Sequence, residues 1–369
     1  MAMIIGIDGN EANVPHKVGV SVYTLQLLTY FQSQASKDVQ FIVYLRNKPQ
    51  IDLPRETQYF SYNVVWGPLL WSQLFLPIQL WLRKLSNNKM NVFFSPAHYI
   101  PRFCPFKTVV TIHDLSYLYF PNEFLKKDLY QLKNWTEYAL KKSSKIIAVS
   151  KTTKKDVIHE YSIPDEKISV VYNGYKNTAL SPNPYPLTPK STPYFLYIGT
   201  LQPRKNLSLL IGSFSHFHKT HPEYKLILAG KKGWLYEEIF KQVEQMGMSN
   251  YVVFPGFVSE DEKNNLYKNA SAFILPSLYE GFGIPILEAM AHGCPVLSSF
   301  SSSLPEVGGE ACLYFDPKNS DDLVEKMISI TSNSELVKNL ILAGKKQIMN
   351  FSWLETGKST LHILKSVQE

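Results

Sequence analysis

The sequence predicts an α/β protein made of two doubly wound domains, each a parallel sheet covered by helices on both faces. At 369 residues, the chain exceeds the length that one hydrophobic core usually supports. Short apolar runs rich in β-branched and aromatic residues alternate with longer amphipathic segments, which is the pattern of strand–helix–strand units. Five prolines within 181–193 separate the halves and indicate an extended linker, because proline fits neither a helix interior nor a central strand.

The first half contains six apolar runs and four amphipathic stretches. The predicted strands are 3–7, 40–45, 90–95, 107–112, 145–149 and 167–172. The predicted helices are 20–35, 70–86, 123–142 and 150–161. Because these strands are almost continuously apolar, we expect a parallel sheet buried on both faces, in a Rossmann-like domain over 1–178.

The second half repeats this alternation. Its predicted strands are 194–199, 224–229, 251–254, 271–275, 295–298 and 311–315. Its predicted helices are 206–219, 234–246, 259–268, 285–292, 319–331 and 334–349. We therefore expect a linker over 179–193 and a second Rossmann-like domain over 194–350. A last helix within 351–369 is expected to cross back to the first domain.

Composition excludes several classes of protein. With 45% hydrophobic and 19% charged residues, the chain is not of the disordered type. Three widely spaced cysteines argue against a disulfide scaffold and a zinc ribbon. We find neither a signal-peptide pattern nor an apolar run long enough to span a membrane, and we expect a cytoplasmic protein.

Charge is unevenly distributed along the chain. Residues 1–178 carry 21 Lys+Arg against 13 Asp+Glu, whereas 179–369 carry 17 against 18. This asymmetry favours an anionic partner for the first half, for which nucleic acid and an anionic membrane are the candidates. A solvated basic face without a partner is the alternative, and the absence of a nucleic-acid-binding module argues against nucleic acid.

The loop after the run 271–275 has the most informative sequence. Two glycines, Gly281 and Gly283, precede a proline that suits the start of a helix. The N–H groups of Gly283 and Ile284 would then face an anion at the positive end of that helix. Glu280 and Glu288 flank the same place and suit sugar and ribose hydroxyls, although a carboxylate near a helix start is also favoured by the helix dipole alone.

Two further strand ends carry candidate functional groups. Arg204 and Lys205 follow the run 194–199 and suit a diphosphate, although an exposed Arg–Lys pair is common. His113 follows the run 107–112, where a neutral imidazole can hydrogen-bond a reacting group and Asp114 can fix its tautomer or cap the next segment.

The loop after the first strand leads to Gly19, which permits close approach of the backbone to a ligand. The sequence contains neither a G-x-G-x-x-G nor a P-loop motif, so NAD and ATP enzymes of those types are disfavoured. It also lacks the G-x-S-x-G motif of a hydrolase nucleophile.

Taken together, these residues resemble glycosyltransferase family 4, whose members are retaining enzymes of the GT-B fold. Glu280 and Glu288 match the Glu-x7-Glu motif of that family, and Arg204 with Lys205 matches its diphosphate-binding pair. His113 matches its active-site histidine segment. The run from Gly199 to Asn206, GTLQPRKN, is similar to the corresponding loop of mannosyltransferase-like members.

The resemblance implies two Rossmann-like domains facing a central cleft, with the acceptor on the first domain and a nucleotide-sugar donor on the second. It implies roles for His113 and Glu280 in catalysis, and for Arg204, Lys205, Gly19, Gly283 and Ile284 at the donor diphosphate. Glu288 would hold the ribose, and Gly256, Phe257 and Val258 would contact the base.

The implied reaction transfers a hexose, with mannose favoured, to a glycan or a polyprenyl-diphosphate-linked acceptor during surface polysaccharide synthesis. GDP-mannose is the favoured donor. No cofactor and no metal are expected, because cations already face the diphosphate and the sequence has no Asp-x-Asp motif. The alternatives are a catalytically inactive sugar-nucleotide-binding subunit and a GT-B epimerase or phosphorylase.

Residues 66–85 combine three tryptophans with many leucines and a basic end. This pattern fits an interfacial helix on the inner face of a membrane, which would make the protein peripheral. The same spacing also fits a helix that packs against a core.

Overall fold

The computed structural model describes residues 2–67, 70–86, 90–175, 192–233 and 235–367. Two compact units are formed. The first unit comprises 1–118, 126–174 and 352–369, and the second comprises 119–125 and 175–351. Most of the predicted linker 179–193 lies outside the described residues.

The first unit contains a seven-stranded parallel sheet. Its strands are β1 (Met3–Asp8), β2 (Val39–Leu45), β3 (Phe60–Val64), β4 (Val92–Ser95), β5 (Lys107–Ile112), β6 (Lys145–Ala148) and β7 (Ile168–Val170). Their order in the sheet is β3-β2-β1-β4-β5-β6-β7, and each neighbouring pair is parallel. Strand β3 was not predicted, because its sequence FSYNV interrupts the apolar run with Ser61 and Asn63.

The helices of the first unit are α1 (Val20–Gln34), α2 (Phe75–Leu85), α3 (Ser116–Tyr119), α4 (Lys126–Lys142), α5 (Lys151–Tyr161) and α13 (Trp353–Ser366). Helix α13 comes from the end of the chain and packs on α1. Its Leu361 and Leu364 join the same buried cluster as Leu27, Phe31 and Ile5. The last segment of the chain therefore completes the core of the first unit.

The second unit contains a six-stranded parallel sheet. Its strands are β8 (Tyr194–Ile198), β9 (Lys225–Ala229), β10 (Val252–Gly256), β11 (Ala272–Leu275), β12 (Val296–Ser299) and β13 (Cys312–Phe315), in the order β10-β9-β8-β11-β12-β13. Its helices are α6 (Leu207–His218), α7 (Glu237–Gln245), α8 (Glu260–Asn269), α9 (Ile284–Ala291), α10 (Leu304–Gly308), α11 (Ser320–Ser332) and α12 (Ser334–Gln347). Both units are thus α/β with doubly wound parallel sheets, as the sequence predicts.

Each sheet has one place where the strand order reverses direction. In the first unit this switch point lies between β1 and β4, and in the second it lies between β8 and β11. The loops at the carboxyl ends of these strand pairs diverge and leave a crevice, which is where open parallel sheets bind ligands. The fold therefore provides one candidate site in each unit.

Helix α2 is buried on one face and exposed on the other. Leu76 and Leu80 are fully buried in a cluster with Trp71, whereas Ile78 and Leu82 are about half exposed. Within the predicted stretch, Trp71 and one face of α2 therefore pack on a core, and the other face of α2 is apolar and uncovered. Within the described part of the chain, we find no helix with the length and apolar character needed to cross a membrane.

Candidate active site

At the switch point of the second unit, two cations and one carboxylate lie together. Arg204 and Lys205 belong to a 3-10 turn directly after β8, and Glu280 lies in the loop after β11. The Nζ of Lys205 lies 2.5 Å from Oε1 of Glu280, and Nη1 of Arg204 lies 3.8 Å from its Oε2. All three side chains are largely buried, so the charges are only weakly screened by solvent.

Serine hydroxyls fix the Glu280 loop. Ser277 donates to Oε1 of Glu280 at 2.7 Å, and the N–H of Glu280 donates to Ser302 at 2.8 Å. The hydroxyl of Ser303 donates to the carbonyl of Glu280 at 2.8 Å. Burial opposes ionisation of Glu280, but Lys205, Arg204 and the Ser277 hydrogen bond outweigh it and hold its pKa below the usual value. Glu280 is therefore an ionised carboxylate held in one position.

The guanidinium of Arg204 is oriented by several groups. Its Nη1 donates to the carbonyl of Tyr279 at 3.2 Å, and its Nε lies 3.7 Å from Oε2 of Glu123. When the side-chain amide of Gln202 is oriented with its oxygen toward Arg204, this oxygen accepts hydrogen bonds from Nε of Arg204 at 2.9 Å and from Nη2 of Arg204 at 3.1 Å. Burial raises the pKa of Glu123 although Arg204 opposes this effect.

Helix α9 begins beside this cluster. Its N-cap, Gly283, has a φ of +114°, and a Cβ at this position would lie 2.8 Å from Cδ2 of Leu304. The helix begins at Ile284, so Pro285 is its second residue and not its first as predicted. N–H groups in the first turn of an α-helix have no partner within the helix and attract anions, so Gly283 and Ile284 are suitably placed for a phosphate.

The carboxylate of Glu288 is engaged by two side chains that sequence reasoning missed. Nζ of Lys263 lies 2.8 Å from its Oε1, and the buried Tyr267 donates to its Oε2 at 3.1 Å. Burial opposes the charge of Lys263, but Glu288 and Glu260 outweigh it and raise the pKa. Glu288 is thus fixed in orientation, and the ribose-binding role implied by the resemblance remains a prediction.

The end of β10 carries the residues expected to contact the base. Gly256 has a φ of +82°, Phe257 is 56% exposed and Val258 is half-buried. Nζ of Lys231 lies 4.8 Å from the centre of the Phe257 ring. An exposed ring can stack on a flat base, but this role also remains a prediction.

In the first unit, His113 follows β5 and lies partly buried. Its Nε2 lies 2.7 Å from the carbonyl oxygen of Pro96, and the ring of Tyr23 packs edge-on against it at 4.8 Å between centres. Burial lowers the pKa of His113 to about 4, and the neighbouring His98 acts in the same direction. His113 is therefore neutral at pH 7.

The contact with Pro96 also fixes the tautomer of His113. A carbonyl oxygen only accepts hydrogen bonds, so Nε2 carries the proton and Nδ1 is left as an acceptor. The carboxylate of Asp114 accepts from the N–H of Ser116 at 2.9 Å and from its hydroxyl at 2.7 Å. Of the two roles considered for Asp114, the structure therefore shows capping of the next segment.

Gly19 is the N-cap of α1 and has a φ of +53°. Apart from its two chain neighbours, no heavy atom of the described residues lies within 4 Å of the position that a Cβ would occupy, so the backbone is accessible at this point. Its expected contact with a donor diphosphate remains a prediction.

The residues that support Glu280 and Glu288 were not predicted from the sequence. The serine-rich segment 298–303 was an available signal, because hydroxyls after a buried strand often bind loop backbones. Lys263, Tyr267 and Glu123 gave no comparable signal, since their roles depend on which elements pack together. Among the described residues, no group of three or more His, Cys, Asp or Glu side chains is close enough to hold a metal, and metal independence remains a prediction.

Comparison with known families matches both halves of the chain. Residues 18–177 match the family described as Glycosyltransferase Family 4, and residues 185–347 match the family described as glycosyl transferases group 1. The two matches cover the regions that contain His113 and the Arg204–Lys205–Glu280 cluster.

Individual relatives agree with these matches. The chain is 29% identical over 289 residues to the O-antigen chain mannosyltransferase B of Escherichia coli, covering 76% of each chain. In fold it is similar to a sucrose-phosphate synthase from Thermosynechococcus elongatus, with a TM-score of 0.76, 16% identity and 99% of each chain covered. It is also similar to Anabaena Alr3699/HepE in complex with UDP and glucose, with a TM-score of 0.73, 17% identity and coverage of 99% and 100%. The chain therefore belongs to the family 4 glycosyltransferases and is a transferase with the GT-B fold.

Proposed function

We propose that the protein is a retaining hexosyltransferase that moves mannose from a nucleotide-sugar, with GDP-mannose favoured, to a glycan or polyprenyl-diphosphate-linked acceptor in surface polysaccharide synthesis. The observation that carries this proposal is the Arg204–Lys205–Glu280 cluster beside the start of α9. The choice of mannose is supported by the resemblance to the Escherichia coli O-antigen mannosyltransferase.

In the proposed reaction, the bond between the anomeric carbon and the diphosphate oxygen breaks, and an acceptor hydroxyl oxygen bonds to the same face of that carbon. The departing diphosphate keeps the electron pair of the broken bond, and the acceptor proton passes to the diphosphate. Arg204, Lys205 and the start of α9 stabilise the departing charge. Glu280 accepts hydrogen bonds from the sugar hydroxyls, and Nδ1 of His113 accepts one from a hydroxyl near the anomeric carbon.

Release of each nucleoside diphosphate from a panel of GDP-, UDP-, dTDP- and ADP-sugars, with and without a mannosylated acceptor, tests the proposal. We expect acceptor-dependent release of one nucleotide and an α-linked product by NMR from an α-linked donor. Arg204→Ala should retain the fold and lose at least about a hundredfold in turnover, since it removes a charge that acts on the leaving group. A β-linked product would disprove retention.

The alternatives predict different results in the same assay. An inactive sugar-nucleotide-binding subunit would bind a nucleotide, seen as a raised Tm, but would release none from any donor. An epimerase would release or isomerise the sugar without forming an acceptor product.

We also propose that the exposed face of α2 places the protein on an anionic membrane on the cytoplasmic side. Ile78, Leu82 and Leu85 are 51%, 55% and 75% exposed, and the adjacent Phe103 is 75% exposed. Trp81 donates its indole N–H to the carbonyl of Phe103 at 2.8 Å, which joins the helix and this loop into one surface. An uncovered apolar surface of this kind marks an interaction site.

Charge favours a lipid surface as the partner. Residues 57–113 contain five Lys+Arg and no Asp or Glu. Arg102 lies beside the apolar face. Pairing two copies through this face would bring like charges together, whereas an anionic bilayer would neutralise them.

Sedimentation with phosphatidylglycerol vesicles tests the membrane proposal. We expect binding at low salt, release at high salt and no binding to purely phosphatidylcholine vesicles. The variant Ile78→Asn/Leu82→Asn should lose binding, whereas Leu342→Asn, at a 48% exposed position of α12, should keep it. Equal binding by both variants would disprove the role of α2.

A further inference from the structure

Glu123 places a second carboxyl group against Arg204, in addition to that of Glu280. It belongs to the segment 119–125, which is part of the second unit although it precedes the strands of that unit in the chain. Oε2 of Glu123 lies 3.7 Å from Nε of Arg204, and Oε2 of Glu280 lies 3.8 Å from Nη1. The guanidinium therefore faces two carboxyl groups, and the proposed reaction gives a role only to Glu280.

Aromatic contacts hold this segment in place. The rings of Tyr119 and Phe120 lie 5.2 Å and 6.4 Å, between centres, from the ring of Tyr279, the residue before Glu280. A 3-10 turn follows and ends at Glu123, whose side chain is only 8% exposed. The segment is thus anchored beside the Glu280 loop, and its carboxyl group lies inside the site.

One oxygen of this buried carboxyl group makes no hydrogen bond. Oε1 of Glu123 is buried and has no partner among the described residues. An ionised oxygen in this situation costs free energy, and a proton on the carboxyl group removes that cost. Burial is accordingly the strongest influence on the pKa of Glu123 and raises it, although Arg204 and Lys205 act in the opposite direction.

The charges of the protein balance within this cluster. Arg204 and Lys205 carry two positive charges, and Glu123 and Glu280 carry two negative charges when both are ionised. The diphosphate of a nucleotide-sugar would add two further negative charges, one on each phosphate. Like charges that share a largely buried site raise the pKa of one of the acids, because its neutral form avoids the repulsion.

Of the two carboxyl groups, that of Glu123 is the better placed to take up a proton. Glu280 has Lys205 and Ser277 at its Oε1, and its pKa is held below the usual value. The pKa of Glu123 is already raised, and a diphosphate that attracts Arg204 and Lys205 would weaken the groups that oppose this rise. A protonated carboxyl group also gains an O–H donor, which can bind a phosphate oxygen that a carboxylate would repel.

We propose that Glu123 takes up one proton from solvent when the donor binds, and that it then donates a hydrogen bond to the donor diphosphate as a neutral carboxylic acid. This inference rests on the proposed function and adds a donor-binding residue whose state depends on pH. Because the donor-bound form carries the additional proton, donor affinity should fall as pH rises, by up to about tenfold per pH unit above the pKa of Glu123 in the free protein.

Isothermal titration with GDP-mannose or UDP-glucose measures the proton directly. Both phosphates of these compounds are esterified, so they lack the terminal phosphate that titrates near pH 6 in a free nucleoside diphosphate. Titrations at pH 7.5 in PIPES and in Tris, which differ in their heats of ionisation, give the number of protons exchanged. We expect the wild-type protein to take up as much as about one proton per donor bound, and Glu123→Gln to take up none.

Two variants separate the hydrogen bond from the loss of charge. Gln is a neutral donor, so Glu123→Gln should lose the decline of affinity between pH 6.5 and 8.5 and should bind more tightly than wild type at pH 8.5. Glu123→Ala should also lose the decline but should bind about three- to tenfold more weakly than Glu123→Gln, the equivalent of one hydrogen bond. Glu137→Gln is the matched control, because Glu137 pairs with Lys141 on the surface of α4 and should keep the pH dependence of wild type.

Weaker binding by Glu123→Gln at every pH, with unchanged proton uptake, would overturn the inference and leave Glu123 as a residue that only orients Arg204. Donor binding by the wild-type protein without proton uptake would also overturn it. Absence of binding by GDP-, UDP-, dTDP- and ADP-sugars alike would instead contradict the proposed function on which the inference rests.

Discussion

Lys205 and Glu280 are 75 residues apart in the chain, yet their charged atoms lie 2.5 Å apart. Each compensates the charge of the other in a largely buried site. A bound diphosphate would attract Lys205 and Arg204 away from Glu280 and leave the carboxylate to the sugar hydroxyls. On the proposed function, the pair would stabilise the empty site, and its two members would bind different parts of the donor once the donor is present.

Replacing Glu280 with Gln should uncouple these two functions. Loss of the carboxylate charge that faces Lys205 and Arg204 should cost about 1–3 kcal/mol of unfolding free energy, and turnover should fall at least about a hundredfold. Thermal melting should show a Tm lower by several degrees that nucleotide raises again, because phosphate replaces the lost carboxylate. Near-wild-type turnover of this variant would contradict the assigned role of Glu280.

The pKa of His113 makes a prediction about pH. The folded protein keeps His113 neutral down to about pH 4, whereas an unfolded histidine takes up a proton near pH 6.5. Between these values the unfolded state binds more protons, so the free energy of unfolding should fall as pH decreases from about 6.5 toward 4.

Urea denaturation at pH 7.5 and pH 5 checks this expectation. His113→Asn should reduce the loss of stability between the two pH values by about 1–2 kcal/mol. Burial also lowers the pKa of the neighbouring His98. The variant His98→Asn is therefore measured alongside His113→Asn, because His98 contributes to the pH dependence in the same direction. An identical pH dependence in wild type and His113→Asn would show that His113 is not held neutral by the fold.

At the scale of elements, the start of α9 depends on a glycine for two reasons. Gly283 has a left-handed φ of +114°, and Leu304 fills the space where a Cβ would lie. Any side chain here would strain the backbone and displace the first turn of the helix, which carries the N–H groups expected to bind phosphate.

Gly283→Ala should therefore lower stability by about 1–3 kcal/mol and weaken nucleotide binding at least about tenfold. Gly247 is a matched control, because its φ is +68° and, among the residues that the structure describes, no heavy atom other than those of its chain neighbours lies within 4 Å of its Cβ position. Gly247→Ala should lower stability through backbone strain, and its nucleotide affinity should stay unchanged. Isothermal titration and thermal melting of both variants provide the comparison.

At the scale of the whole molecule, the two units are not continuous in sequence. The first unit is completed by α13, which begins after the second unit ends. Leu364 is fully buried and belongs to the first unit's core, whereas Leu354 on the same helix is 61% exposed. The stability of the first unit thus depends on the last residues of the chain.

Leu364→Ala should lower the free energy of unfolding by about 2–5 kcal/mol through the lost burial and the cavity. Leu354→Ala should change it by less than about 0.5 kcal/mol. Urea denaturation followed by tryptophan fluorescence measures both. Equal effects of the two substitutions would show that α13 is not docked on the first unit.

The sequence by itself determined the fold class, most of the strands, and the loops that carry Arg204, Lys205, Glu280 and His113. It did so because apolar periodicity and turn residues are local properties, and because ligand sites of parallel sheets follow strand ends. The missed strand β3 is polar on both sides of Tyr62, so no local pattern distinguished it from a loop.

The tertiary structure decided which of these residues act together. The pairing of Lys205 with Glu280, the support of Glu288 by Lys263 and Tyr267, and the tautomer of His113 all depend on contacts between distant segments. So do the two faces of α2. Such contacts follow from the order of strands in each sheet, and local sequence patterns do not specify that order because they record only neighbours along the chain.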